Sequence, residues 1–283
     1  MTAKALTQQP IRHYGMEALR VLGALLIIFF VIFPIFWLFL TSLKNEGDTW
    51  SSSLSFTPTL SNFSQLFDGK PYDFGRMLLN TFFVSVVSAL FSVPIATMAA
   101  FAFSRYRFIG KDLLLVAVLA SQFLPGVVVL IPFFILFRDL QLLDTLTALI
   151  IMHLSGGIPF GIWMLKGFID SLPVEIEEAA VVDGASEFGV LRHITGPLIM
   201  PGIVTVTVLS FIGSWNEFMF AFILTKTDAA RPMMVGIMSL SGIRGTPWNL
   251  MAAASLILMV PVFILSLSIR RYFVQGLTMG AVK

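Results

Sequence analysis

The chain has 283 residues, 57% of them hydrophobic and only 12% charged, with a formal charge of +2 and a mean hydropathy of +0.90. A soluble domain carries about 25% charged residues, so this chain cannot cover a water-facing surface; a soluble enzyme and a disordered chain are excluded, and the small charge argues against nucleic acid. It has no cysteine, which removes disulfides, thiolate metal sites and cysteine nucleophiles and leaves the compartment open.

In chain order, six segments reach the about 20 apolar residues that cross about 30 Å of hydrocarbon: 21–40, 77–103, 113–137, 146–165, 198–224 and 250–269. The runs are continuous and do not alternate in ten-residue pieces, so helices are predicted, not a β-barrel. The fold class is an all-α integral membrane protein with six transmembrane helices. Pro34, Pro94, Pro125, Pro132, Pro159 and Pro261 fall inside spans and are expected to kink the helices without breaking them. The first span follows Lys4, Arg12 and Arg20, but its length and the lack of a small-residue cleavage site mark it as a retained helix and not a signal peptide.

Even span number puts both termini on one side. With that side cytoplasmic, eleven of the 18 Lys and Arg residues lie inside, and Arg105, Arg107, Lys111, Arg270 and Arg271 sit against helix ends as topology anchors. The expected division is a cytoplasmic N-terminus over 1–20, a transmembrane domain over 21–270 and a cytoplasmic tail over 271–283. External loops fall near 41–76 and 225–249, either solvated or in contact with a partner.

The cytoplasmic loop 166–197 is built differently. Pro173 suits a helix start. Glu175, Glu177 and Glu178 favour first turns, where they meet the positive end of the helix dipole. Ile176, Ala179 and Ala180 share helical spacing, and Gly184 after Asp183 suits a left-handed stop. Ser186 is positioned to cap a second short helix through Ile194, which Gly196-Pro197 is expected to end. The reading is a compact helix–turn–helix across the inner membrane surface.

Glu178-Ala179-Ala180 followed by Gly184, with Ile194 and Pro197 downstream, resembles the E-A-A-x-x-x-G…I-x-L-P loop of permease subunits of ATP-binding-cassette importers. The stretch from Ser210 through Trp215, Asn216, Glu217 and Phe218, the tail from Gly276 to Lys283, and Gln122, Pro125 and Ile131-Pro132 are similar to the second permease of maltose-type carbohydrate importers. Gly196 departs from the family, which usually has Leu there. The resemblance implies the type I importer permease fold. It also implies that Glu177, Glu178, Ala179, Ala180, Asp183 and Gly184 form a coupling helix seated in a cytoplasmic ATPase, with the tail 276–283 as a second contact. Its partners would be a sister permease, two ATPase subunits that hold ATP and Mg, an extracytoplasmic solute-binding protein and membrane lipid. The setting is a bacterial cytoplasmic membrane.

No cofactor is expected on the chain itself. Gly69-Lys70 and Gly110-Lys111 lack the P-loop pattern, no protease or hydrolase motif occurs, and His13, His153 and His193 are dispersed. The energy source is therefore expected in a partner, and the chain is not an enzyme. Polar groups within spans are candidates for the solute pathway: Glu217 with Trp215 and Asn216, whose carboxylate, indole and amide suit a sugar, and also Asn80, Gln122 and His153. The substrate class is a carbohydrate, or alternatively a polyol or glycerol phosphate. An ion-coupled secondary transporter is the rival class, with Glu217 as its thin support.

Overall fold

The computed structural model describes residues 9–279 except 71, 243 and 244, and side chains between 16 and 268 with residue 18 excepted. The N-terminal basic residues Lys4 and Arg12, the anchors Arg270 and Arg271, and the tail contact expected over 276–283 lie outside the described side chains. The helices, in order, are α1 (Gln9–Ser42), α2 (Ser61–Phe67), α3 (Phe74–Arg105), α4 (Lys111–Ala120), α5 (Gly126–Asp139), α6 (Leu146–Asp170), α7 (Val174–Val182), α8 (Glu187–Val190), α9 (Gly196–Leu198), α10 (Met200–Trp215), α11 (Met219–Leu224), α12 (Met233–Ser239) and α13 (Trp248–Met279).

Among the described residues, four helical stretches are long and apolar enough to cross a membrane: Leu19–Ser42, Phe74–Arg105, Leu146–Asp170 and Trp248–Ser268. Two more are bent pairs. Lys111–Phe123 meets Gly126–Asp139 at 100°, and Glu187–Leu198 meets Met200–Trp215 at 82°. With each pair taken as one span the total reaches six.

The third predicted span, 113–137, needs correction. Pro34, Pro94, Pro132, Pro159 and Pro261 do lie inside continuous helices, but Pro125 breaks its segment outright. Leu124 (φ −71°, ψ 122°) and Pro125 (φ −59°, ψ 132°) both leave the helical region, because proline crowds the residue before it out of the α region and has no N–H to carry the ladder onward. The fifth predicted span, 198–224, is also interrupted. It turns at Ile199 and stops at Trp215, where Asn216 closes α10, and a separate short helix, α11, follows.

The centre is α3, packed along α6 and α10. Its inner face is small and weakly polar, with Ser85, Ser88, Ala89, Ser92, Ala96 and Ala100 all buried, which lets helix axes approach closely in a membrane. At the loop end, Val93, Ala96, Ile162, Leu165, Ile169, Val190, Leu191 and Val206 make one core. At the opposite end Phe74, Met77, Phe211, Trp215, Met233 and Ala253 make another.

The outer segments are ordered by buried polar contacts. Asn62 donates to the carbonyls of Ser42 (2.7 Å) and Lys44 (2.8 Å) and accepts from Asn249 (2.8 Å), which ties α1, α2 and α13 together. Lys44 is buried, bonds the Ser51 carbonyl at 2.8 Å and lies 5.3 Å from the ring centres of Trp37 and Phe56. The 225–249 loop folds α12 back into the bundle, with Met233, Val235 and Ile237 buried. By contrast, no side chain of the 19–36 stretch of α1, residue 18 excluded, is buried within this chain.

Candidate functional site

The loop between α6 and α10 folds as a hairpin of helices. Pro173 precedes α7, and Gly184, at φ +90°, makes the turn after it; a side chain at that φ is strained, so the sequence places glycine there. Ser186 caps α8 by accepting from Gly189 N–H at 3.1 Å, as the sequence predicts. The second arm does not end at Gly196-Pro197. It runs through a π-helical turn, Leu191–Thr195, into α9, with Gly196 N–H bonded to the Leu191 carbonyl. A Cβ on residue 196 would sit 2.8 Å from that carbonyl oxygen. The departure from Leu at this position therefore accommodates the wide turn, which continues the arm up to the 82° bend.

Two links pin the hairpin to the end of α3. Arg105 reaches Glu177 through Nε (2.5 Å) and Nη2 (3.2 Å), while Nη2 also donates to the carbonyls of Ile169 (2.9 Å) and Leu172 (3.3 Å). Thr195 donates to the same carboxylate at 2.7 Å, from the second arm. One buried carboxylate thus joins α3, α7 and the π turn. The second link is Tyr106, whose hydroxyl donates to Glu187 at 2.8 Å. Burial and the Glu187 carboxylate push that hydroxyl above its ordinary pKa, so it stays a donor at neutral pH.

The candidate residues of the hairpin divide by face. Glu177 points into the bundle and Ala180 packs on the inner core. Glu178, Ala179, Asp183 and Gly184 are exposed. Val181 and Val182 of α7 are 53% and 86% exposed, and Phe188 of α8 is 61% exposed, so the hairpin presents apolar groups as well as acids on a fixed base.

The intramembrane candidates also separate. Gln122, in the 3-10 turn after α4, donates to the Gly156 carbonyl of α6 at 3.2 Å, and it lines one cleft of about 430 Å³ together with His153. Trp215, Asn216 and Glu217 do not act together. Trp215 is buried, stacks on Phe211 with ring centres 5.2 Å apart, and donates to the Leu258 carbonyl at 3.0 Å. Asn216 is exposed at the end of α10. Glu217 accepts from the N–H groups of Phe220 (2.7 Å) and Ala221 (2.9 Å), in the first turn of α11. Asn80 lies at the other end of α3 and donates to the carbonyls of Asp228, Ala229 and Arg231 at 3.0 to 3.3 Å, holding the outer loop. No cluster of three or more possible metal ligands occurs among the described residues.

Residues 92–279 match the family described as the binding-protein-dependent transport system inner membrane component. The chain belongs to that family. It is a multi-pass permease component of an ABC importer, and ATP hydrolysis belongs to a separate subunit. The permease is 33% identical to the sulfoquinovosyl glycerol transport system permease of Agrobacterium fabrum, over 94% of each chain. It is 32% identical to the trehalose/maltose transport system permease of Thermococcus litoralis, over 94% of this chain and 96% of that one. A permease of a bacterial ABC transporter involved in import of the acidic polysaccharide alginate shares the fold, with a TM-score of 0.78, 22% identity, and coverage of 95% of this chain and 100% of the other.

In this permease the residues that the sequence alone did not single out are Arg105, read there as a topology anchor, and Thr195. Arg105 and Glu177 are 72 positions apart, and Thr195 and Glu177 are 18 apart.

Proposed function

We propose that this permease is one of two membrane subunits of an ATP-driven carbohydrate importer, and that the α7–α8 hairpin couples it to a cytoplasmic ATPase. The observation that carries the reading is the hairpin: pinned by Arg105, Glu177 and Thr195, yet showing Val181, Val182 and Phe188 to the outside beside Glu178 and Asp183. An ordinary solvated loop does not expose three large apolar groups on an anchored base. A cleft in a second protein suits that shape. ATP and Mg sit on that partner, whose closure pushes the hairpin; the rigid link through Arg105 passes the push to α3.

The same reading puts the hairpin and both termini in the cytoplasm and the 41–76 and 225–249 segments outside, where a solute-binding protein docks. The apolar surface of α1 between 19 and 36 then meets lipid and the sister permease. Carbohydrate is the substrate class because the relatives named for sulfoquinovosyl glycerol and trehalose/maltose match nearly end to end, and because Gln122 and His153 place an amide and an imidazole in the wall of one cleft between the helices. The test is uptake in reconstituted vesicles. Uptake should require ATP, the ATPase and the sister subunit; uptake by the lone chain under an ion gradient would contradict the proposal.

A further inference from the structure

We infer that the groove between α3 and the arm running from α8 into α10 binds one anionic phospholipid, its phosphate on Arg192 and an acyl chain between the two helices. The inference rests on the transport reading for one point, that the hairpin end faces the cytoplasmic leaflet.

Three observations carry it. The first is the wall. The groove holds about 490 Å³ and is lined by Pro94 and Met98 of α3 and by Met200 and Ile203 of α10. Met98 and Met200 are 47% and 45% exposed, and such flexible thioether chains adapt to an irregular apolar occupant. Thr97 also lines the groove, but its hydroxyl already donates to the Val93 carbonyl at 2.7 Å.

The second is depth. At 1.5 Å per residue, Met98 and Pro94 stand about 10 and 17 Å up α3 from Arg105, among the acyl chains of one leaflet in a core about 30 Å thick. The arm Glu187–Leu198 meets Met200–Trp215 at 82°. With α10 crossing the membrane, that arm runs along its surface and carries Arg192 at headgroup level.

The third is charge. Arg192 is the one charged residue among the lining residues, and it makes no hydrogen bond or ion pair among the described residues. The acids nearest in the fold are engaged elsewhere, Glu177 by Arg105 and Thr195 and Glu187 by Tyr106. A guanidinium presents paired donors that match a phosphate. Because Asp and Glu are absent from the lining, the ammonium of a zwitterionic lipid would find no counter-charge there, whereas an anionic headgroup brings none. Basic pockets between helices on the cytoplasmic side hold anionic headgroups in this way.

The assembled importer is reconstituted in phosphatidylcholine nanodiscs with a trace of phosphatidylglycerol carrying a diazirine in one acyl chain, irradiated, and mapped by peptide mass spectrometry. Label should fall on 94–98 and 200–203, and unlabelled phosphatidylglycerol should compete it away. A diazirine phosphatidylcholine at the same level should label these segments about fivefold less, the difference one basic side chain makes at a membrane surface. Arg192→Gln should lower the phosphatidylglycerol signal to that of phosphatidylcholine and leave the latter unchanged, which shows the groove intact; Arg192→Lys should keep most of it. Arg107→Gln, which removes an exposed arginine outside the groove, should change neither. Equal labelling by the two lipids, a fall in both with Arg192→Gln, or an equal fall with Arg107→Gln overturns the inference. So does absence of label from both segments, the result expected if the sister permease or the ATPase covers the groove. ATP-driven uptake, measured separately, reports on the transport reading, which stands if uptake persists without selective labelling.

Discussion

Removing the guanidinium of Arg105 should release the hairpin from the bundle. In Arg105→Ala the Glu177 carboxylate keeps only the Thr195 bond, and the carbonyls of Ile169 and Leu172 lose a donor. The two side chains are 14% and 7% exposed. Breaking one partner out of a buried pair costs about 3–5 kcal/mol, and the residual water access puts this pair near the lower end. At about 1.4 kcal/mol per tenfold, roughly 3 kcal/mol raises the open population of the hairpin about a hundredfold. Hydrogen exchange of the α7 amides in the assembled importer should accelerate by that factor. Transport-coupled ATPase should fall while basal hydrolysis by the ATPase subunit continues. Glu177→Gln keeps an acceptor for Arg105 and should cost less. The double variant Arg105→Ala, Glu177→Ala should recover part of the loss, giving an interaction energy well above the about 0.5 kcal/mol that independent sites show. Unchanged α7 exchange in Arg105→Ala, or an additive cycle, would refute the pinning.

Gly184→Ala should cost about 1–2 kcal/mol, since φ +90° lies outside the range a Cβ tolerates. Gly184→Pro cannot reach that φ, so coupled ATPase should drop further in it, without loss of membrane insertion. Glu217→Ala should loosen the first turn of α11 by about 1 kcal/mol, as loss of a helix cap does, seen as faster exchange at Phe220 and Ala221. Asp144 joins the start of α6 to the outer loop by accepting from Lys226 and Thr227 N–H and the Thr227 hydroxyl. Burial opposes its ionisation, but those bonds and Arg231 outweigh burial and hold the carboxyl below its ordinary 3.8. A depressed pKa means that the bond set is fully present above pH 3.8 and is lost as pH falls through the lower native value. Protection of the Thr227 amide should follow that course, and Asp144→Asn should flatten it.

The parts of this fold written locally were legible and the parts written by contact were not. Ser186, Gly184 and the first-turn acids mark the hairpin because capping and left-handed turns depend on neighbours in sequence. The inner role of Arg105 was hidden because a basic residue at a span end has a sufficient explanation in topology. Pro125 and Pro132 look alike in an apolar run. Only the surroundings make the first a break and leave the second inside a helix. Trp215, Asn216 and Glu217 are adjacent in sequence, which suggested one site. The end of α10 turns them apart, and the indole is taken by Phe211 and the Leu258 carbonyl.

The coupling claim is tested most directly by site-specific cross-linking. A single cysteine at Asp183 in this cysteine-free chain, treated with a short bifunctional reagent in the assembled importer, should join the permease to the ATPase subunit, with a yield that changes between the nucleotide-free and ATP-bound states. Cross-links to the sister permease alone, or a cysteine equally open to water-soluble maleimide with and without the ATPase, would contradict it.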